Sequence, residues 1–333
     1  MTTLTPMPSV SVIMPAYNAG SYIAQALDSA LRQTEGDLEI VVVDDGSTDA
    51  TLAIAQDAAS RDPRIVVYAQ ARSGKAAIAR NRGLATARGE FIAFLDADDL
   101  YHPEKLAQQV SVLKQSPELD LVFHDVKYID QSGAALPGTY LGRAGFHERV
   151  LSRSRRVDDA VYACSTPDLF FFMCTRVTTL HPSAVLVRRG RLQQERVLFA
   201  EDLAVGEDVD LWFRLVASGQ VAYIDRVLSF YRQHSESTTK RPDGDPADSI
   251  VAHVRNYRRA EAHLHAGQRR AYRLRIAADL ASTAYLYRNR GETYKARALY
   301  LESLRWRVSL RTCRAFLKTA LLGALRSIPA RPL

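Results

Sequence analysis

Residues 91–99 read FIAFLDADD, five apolar residues followed by three carboxylates within four positions. A short continuous apolar run is the pattern of a strand buried on both faces. The arrangement occurs twice earlier. VSVIM at 10–14 runs into Pro15-Ala16-Tyr17-Asn18, and EIVVV at 39–43 runs into Asp44-Asp45-Gly46-Ser47-Thr48. Helical spacing fills the intervals. Across Tyr22–Arg32, the residues Ile23, Ala26, Leu27, Ala30 and Leu31 share one side. Asp49–Ala59, Ala76–Ala87 and Pro103–Gln115 also read as helices, with Ser47, Thr48 or Asp49 as cap and Pro103 in a first turn. Arg64–Tyr68 and Leu119–His124 read as further strands. Strands alternating with helices predict an α/β protein built on a parallel sheet covered on both faces, with its chemistry at the carboxyl ends of the strands.

Asp96, Asp98 and Asp99 repel one another unless a cation or several donors offset them. Hard oxygen ligands suit Mg²⁺ or Mn²⁺. The plainer reading makes Asp98 or Asp99 the cap of the helix after Pro103. Asp44 and Asp45 allow two readings as well, a carboxylate accepting hydrogen bonds from a base or ribose, or an Asx turn into the next helix. Three successive strand ends with polar motifs share one edge of the sheet, and that coincidence favours a site.

Beyond this half the pattern weakens. Asp130–Phe172 is polar and aperiodic, the signature of a long functional loop. Ser183–Val187 reads as a strand, Asp208–Ser218 as a short helix, and Val221–Ile224 and Leu228–Arg232 as two more strands. Lys240–Pro246 (KRPDGDP) is a linker by composition, and helices follow from Ala247 onward. Within them, Ala277, Ala281, Ala284 and Tyr285, then Tyr294, Ala298 and Leu301, suggest a helix pair.

The quoted segments resemble the successive motifs of family 2 glycosyltransferases: VSVIMPAYNAGSYIAQALDSALRQT, EIVVVDDGSTDAT, ARNRGLATARGEFIAFLDADD and GEDVDLWFRL, in the family's order and spacing between Ser9 and Thr239. The resemblance implies a GT-A fold, a mixed sheet with helices on both faces, and inverting sugar transfer. It implies that Pro15, Ala16, Tyr17 and Asn18 line the nucleotide site and that Asp45 binds the base. Lys75 and Arg80 would approach base and ribose, although Gly74-Lys75-Ala76-Ala77-Ile78 departs from the family's usual residues there. Asp96 would contact the ribose, Asp98 would ligate the metal, and Asp99 would stand behind it. Asp208 matches the general base. Glu201-Asp202 offers a nearby decoy, but Asp210-Leu211-Trp212-Phe213-Arg214 follows Asp208 at the family's spacing. His234, in Tyr231-Arg232-Gln233-His234, would ligate the metal or meet the diphosphate. His181-Pro182-Ser183 enters the strand that backs the acceptor side; a lone His beside Pro is more often structural than a site residue, and Trp212 and Phe213 read as core. A helix dipole at Asp208 favours its ionised form, and Glu207 opposes it.

The 333 residues suggest about two domains: a catalytic domain over 1–240, with a donor half to about 125 and an acceptor half after it, and a basic helical region over 241–333. Gly138–Phe172, with Arg153, Arg155, Arg156 and Tyr162, is the expected acceptor region. At 47% hydrophobic and 24% charged, the chain reads as globular rather than disordered or collagen-like. No run of 18 apolar residues occurs, and the N-terminus lacks the basic start of a signal peptide. Three cysteines, Cys164, Cys174 and Cys313, with no CxxC, suit a reduced cytosol and buried thiols.

The net charge of +7 conceals a split: from Val251 onward it is +14, and before it −7. A basic tail on an acidic body points to an anionic partner. Arg305, Arg307, Arg311, Arg314 and Lys318 stand among Trp306, Leu310, Phe316 and Leu317, which suits the surface of an anionic membrane. Packing on a twin subunit is the other reading, and no nucleic-acid module is recognisable. The expected partners are a nucleotide-sugar donor, UDP-linked, and a glycan or polyprenyl-linked acceptor of a bacterial surface polysaccharide. The expected place is the cytoplasm or the inner face of its membrane. A nucleotidyltransferase would need a Gly-rich basic loop after the first strand, which PAYNAGSY lacks. A catalytically silent glycan-binding or scaffolding protein is the rival from another class.

Overall fold

The computed structural model describes residues 7–175, 180–194, 198–203, 205–235 and 248–326. The linker expected at 240–246 lies outside the described residues. The chain divides into two compact units, Met1–Pro242 and Asp243–Leu333.

The first unit is a sheet of eleven strands among the described residues. β1 (Val10–Ala16), β2 (Leu38–Asp44), β3 (Ile65–Ala69) and β4 (Phe91–Phe94) are the apolar runs read from the sequence. β1 pairs in parallel with both β2 and β4, and β2 with β3. Alternate residues of β1 face opposite ways. Val10, Val12 and Met14 join a core with Ile23, Ala26, Leu27 and Ala30 of α1 (Ile23–Leu31), Ala55 of α2 (Thr51–Arg61) and Leu106, Val110 and Leu113 of α4 (Lys105–Gln115). Ile13 points the other way, toward Gly83 of α3 (Ala76–Thr86), where a Cβ would lie 2.6 Å from its Cγ2. Helices therefore cover both faces.

The sheet is mixed rather than all parallel. β10 (Leu186–Arg188) lies between β4 and β6 (Leu121–Ile129), antiparallel to both. β11 (Val221–Arg232) runs parallel to β6. It is one strand where two were expected, with register shifts between Ile224 and Ser229. Pro182–Ala184 forms a 3₁₀ turn, so the expected strand Ser183–Val187 starts later. Since β10 runs opposite to β1, β2, β4 and β11, its start lies on the same edge as their ends. That edge collects the site.

The expected long loop at 130–172 is instead a set of short elements. β7 (Ala135–Thr139) pairs with β6, and β8 (Arg155–Asp158) and β9 (Val161–Ala163) form a hairpin against β11. α5 (Phe146–Arg149) and α6 (Thr166–Thr175) complete it. Phe146 packs edge-on to Phe123 and Phe172. Apart from α6, these elements span three to five residues and are too short to show a period.

The second unit consists of α9 (Asp248–Ala260), α10 (Ala266–Asn289), α11 (Thr293–Trp306) and α12 (Leu310–Arg326). His265 and Gln268 close a capping box on α10. α10 and α11 form the expected pair, but through a different stripe. Ala277, Leu280, Ala284 and Tyr287 are buried with Ala296, Tyr300 and Ser303, while Tyr285, Tyr294 and Leu301 face solvent. Among the described residues, no helix is long and apolar enough to cross a membrane. Cys164 and Cys174 are buried and Cys313 half-buried, and none of the three forms a disulfide among the described residues. Burial pushes the Cys164 thiol up to about 12, which makes it unreactive.

Candidate active site

Each strand end on the shared edge is held by its neighbour. Asn18 bends the chain after β1 at a φ of 48°. Its backbone N–H donates to Ser47 Oγ (3.0 Å) and its side-chain oxygen accepts from Thr48 N–H (2.8 Å). Asp44 accepts from Ser47 N–H, three residues on, at 3.1 Å, and so holds the local turn. Asp45 does not. Its carboxylate reaches across to the next loop and accepts from Gln70 Nε2 (2.7 Å), Ser73 N–H (2.9 Å) and Gly74 N–H (3.1 Å), and it pairs with Arg72. Burial raises the Asp45 pKa, but these donors outweigh it and hold the carboxyl below its ordinary range. The Arg72 guanidinium also lies 3.3 Å above the Tyr17 ring. A flat, N–H-bearing group thus stacks on Tyr17 and donates to Asp45. α2 begins after Ala50, not with 47–49 as its cap.

Asp98 and Asp99 do not cap α4, whose preceding residue is Glu104. Asp99 is fully buried and accepts from Ser183 Oγ (2.6 Å) and Arg232 N–H (3.1 Å). Burial, then Asp98 and Asp96, push its pKa well up. Asp98 stays 27% exposed, and its Oδ2 lies 2.8 Å from His234 Nε2. His234 stacks on Tyr22, and its Nδ1 is buried with no hydrogen-bond partner among the described residues. Asp96, Asp99 and His181 bring ligand atoms within 4.8 Å of one another. Burial holds His181 down at about 4, so the ring is neutral at pH 7. His181 thus lies beside the acidic cluster and also does structural work, its Nδ1 accepting from Ser183 N–H at 3.3 Å to cap the Pro182–Ala184 turn. Carboxylate oxygens and imidazole nitrogens around a partly exposed acid form a donor set that fits a hard divalent cation.

Arg232 holds this corner together. It is fully buried, and its guanidinium donates to Asp98 O (2.9 Å), Gln131 O (3.0 Å) and Gln25 Oε1 (2.8 Å). Arg232→Ala would empty a fully buried side-chain site and break three hydrogen bonds to part-exposed acceptors, and a loss of about 2 kcal/mol or more in urea unfolding is expected. A loss under about 0.5 kcal/mol, the range of ordinary surface substitutions, would contradict this.

Asp208 opens α8 (Glu207–Ser218), which precedes parallel β11, so its N-terminus lies at the same edge. Arg80 bridges the two parts, donating to Asp96 Oδ1 (2.8 Å) and Glu207 Oε1 (2.6 Å). Both terminal nitrogens of Arg80 thus donate to acidic side chains of the protein itself. Lys75 Nζ likewise donates to Glu201 O at 2.6 Å. The helix dipole does not keep Asp208 in the ordinary carboxylate range. Burial, then Glu207, raise it to about 7 against the pull of Arg80. Trp212 and Phe213 are core residues, as expected, Trp212 packing edge-on to Phe94. The residues that sequence reading missed are Arg72, Ser183 and Arg232. Only Arg232 carried a signal, its place inside the Tyr231–His234 motif.

Comparison with known proteins gives the family and the fold. The sequence profile of Glycosyl transferase family 2 matches residues 11–176. TuaG of Bacillus subtilis (strain 168), a glycosyltransferase assigned to teichuronic acid biosynthesis, is 34% identical over 227 residues, 68% of this chain and 79% of TuaG. The chain belongs to glycosyl transferase family 2. It spans 64–66% of the length of the first curated relatives it matches. Among solved structures, S. aureus TarS 1–349 in complex with UDP-GlcNAc aligns with a TM-score of 0.63 and 21% identity over 91% of this chain and 82% of that one. The mannosyltransferase PcManGT of Pyrobaculum calidifontis, in complex with GDP-Man and Mn²⁺, aligns at 0.54 and 20% over 96% and 81%. This family 2 chain therefore has the GT-A fold.

Proposed function

We propose that this family 2 chain transfers a sugar, with inversion, from a UDP-sugar to a hydroxyl of a glycan or polyprenyl-linked acceptor in bacterial surface polysaccharide synthesis. The observation that carries the reading is the linked pair of acids at one sheet edge. Asp208, poised near 7, is tied through Glu207 and Arg80 to the cluster at Asp96. The acceptor hydroxyl is a weak nucleophile. Asp208 takes its proton as the bond to the anomeric carbon forms, and one base suffices for attack from the face opposite the diphosphate. Asp98 and His234 would hold Mg²⁺ or Mn²⁺, which offsets charge on the departing diphosphate. Asp99 and Arg232 fix the Asp98 turn, and Arg80 positions Asp96 and α8. Arg72 stands where the base would lie: the base replaces its guanidinium on Tyr17 and donates to Asp45, with Pro15, Ala16 and Asn18 framing it. The UDP reading draws on TarS and the surface-polymer reading on TuaG, while PcManGT makes GDP the alternative donor.

Thermal melts against UDP-, GDP-, CMP- and dTDP-sugars, with Mn²⁺ and with EDTA, test the donor. UDP-sugars are expected to stabilise by about 2.7 kcal/mol at 100 times their dissociation constant, and EDTA to remove the effect. No shift with any donor would overturn the reading in favour of a silent scaffold.

A further inference from the structure

The second unit holds a cleft of about 450 Å³ that the transfer chemistry leaves unused. Its walls carry Arg269, Arg270 and Arg273 of α10 and Arg307 just after α11, with Tyr257, Glu261 and Trp306. One acid faces four cations, and that acid is engaged: Tyr257 Oη donates to Glu261 Oε1 at 2.7 Å. Arg269 pins the turn before α10 through Leu264 O at 2.6 Å. Arg273 lies 5.4 Å from the Trp306 ring centre. Arg270, Arg273 and Arg307 are exposed. Four guanidiniums around one cavity repel each other until an anion enters. The fork of arginine, unlike a lysine ammonium, matches phosphate oxygens in pairs.

The surroundings indicate what presents the anion. Val308 and Leu310, next along the chain, are each 78% exposed. On α12, Leu310, Arg314, Leu317 and Leu321 follow at spacings of four, three and four, so they share a face, and all are exposed. Exposed leucines interleaved with arginines suit the boundary of an anionic bilayer.

We propose that this cleft binds a phosphate or diphosphate group, carried by a lipid whose apolar part meets Val308 and Leu310. A polyprenyl-linked acceptor would meet it with its charged end, which deepens the acceptor reading above. Binding is measured without turnover, so failure here leaves the donor and base assignments standing.

Trp306 lines the cleft, and the other tryptophan, Trp212, is fully buried in the first unit. Fluorescence of the full chain is followed during titration with inorganic pyrophosphate and with phosphatidylcholine vesicles holding about 20 mol % phosphatidic acid. The Trp306 signal is expected to respond, to vanish in W306F, and to need at least about tenfold more ligand in R270Q/R273Q/R307Q. Response to both probes supports a general phosphate site, and response to vesicles alone supports the lipid as source. Should the triple variant fail to fold by circular dichroism, R270K/R273K keeps the charge and loses the fork, and weakened binding is again expected. Undiminished binding by a folded variant, or no response to either probe, overturns the proposal.

Discussion

Asp208→Asn is expected to lower turnover by about 10²–10⁴-fold, the usual worth of a positioned base, while donor-induced stabilisation stays at the wild-type level. Asparagine keeps the shape and the hydrogen bond from Val209 N–H (2.7 Å) but cannot take a proton. With the carboxyl raised to about 7, wild-type kcat/KM is expected to climb as pH rises toward 7 and level off above it. The same shift has a stability signature. The folded protein binds this proton more tightly than the unfolded chain, whose carboxyl titrates near 3.8. The stabilisation is therefore complete below about pH 4 and lost as pH rises through 7. Asp208→Asn should match the wild type at pH 4 and exceed it at pH 8 by on the order of 1–3 kcal/mol, discounted for partial exposure. Lower activity together with a higher melting temperature at pH 8 separates a base from a structural acid. A variant that loses stability at pH 8 would contradict the assignment.

Asp98→Ala is expected to reduce turnover by about 10³-fold or more, the scale of removing a group that stabilises charge in the transition state. It should also abolish the Mn²⁺-dependent part of donor stabilisation. The fold should persist. The Asp98 side chain is partly exposed, and the carbonyl that holds Arg232 belongs to the main chain and survives in alanine. Asp99 is different. Its buried carboxylate receives Ser183 and Arg232, so replacing it should damage folding first. Mn²⁺ titration of donor-induced melting shifts in Asp98→Ala measures the effect, and an unchanged metal dependence would contradict it.

The sheet edge was legible because β1, β2 and β4 are buried on both faces. Each reads as an unbroken apolar run that stops at Pro15, Asp44 or Asp96. Asp98 and His234, far apart in the chain, were brought together by motif, and the structure sets them in contact. His181 was legible as a residue entering the strand behind the site, and only its place beside the acids was hidden, for a topological reason. A parallel strand after it would have carried it to the far edge, whereas reversed β10 carries it to the acidic cluster. Arg72 was hidden because nothing local marks an arginine that folds over a tyrosine 55 positions earlier. The paired helices were legible but their contact stripe was not. Alanines line several sides of α10, and the tyrosines divide, with Tyr272 and Tyr287 buried and Tyr285 exposed.

The central claim is a single displacement with Asp208 on the face opposite the diphosphate. Proton NMR of the sugar first released from the donor when water replaces the acceptor tests it most directly. The account predicts the anomer opposite to the donor's, formed by the wild type and lost in Asp208→Asn. Release of the donor's own anomer would contradict it.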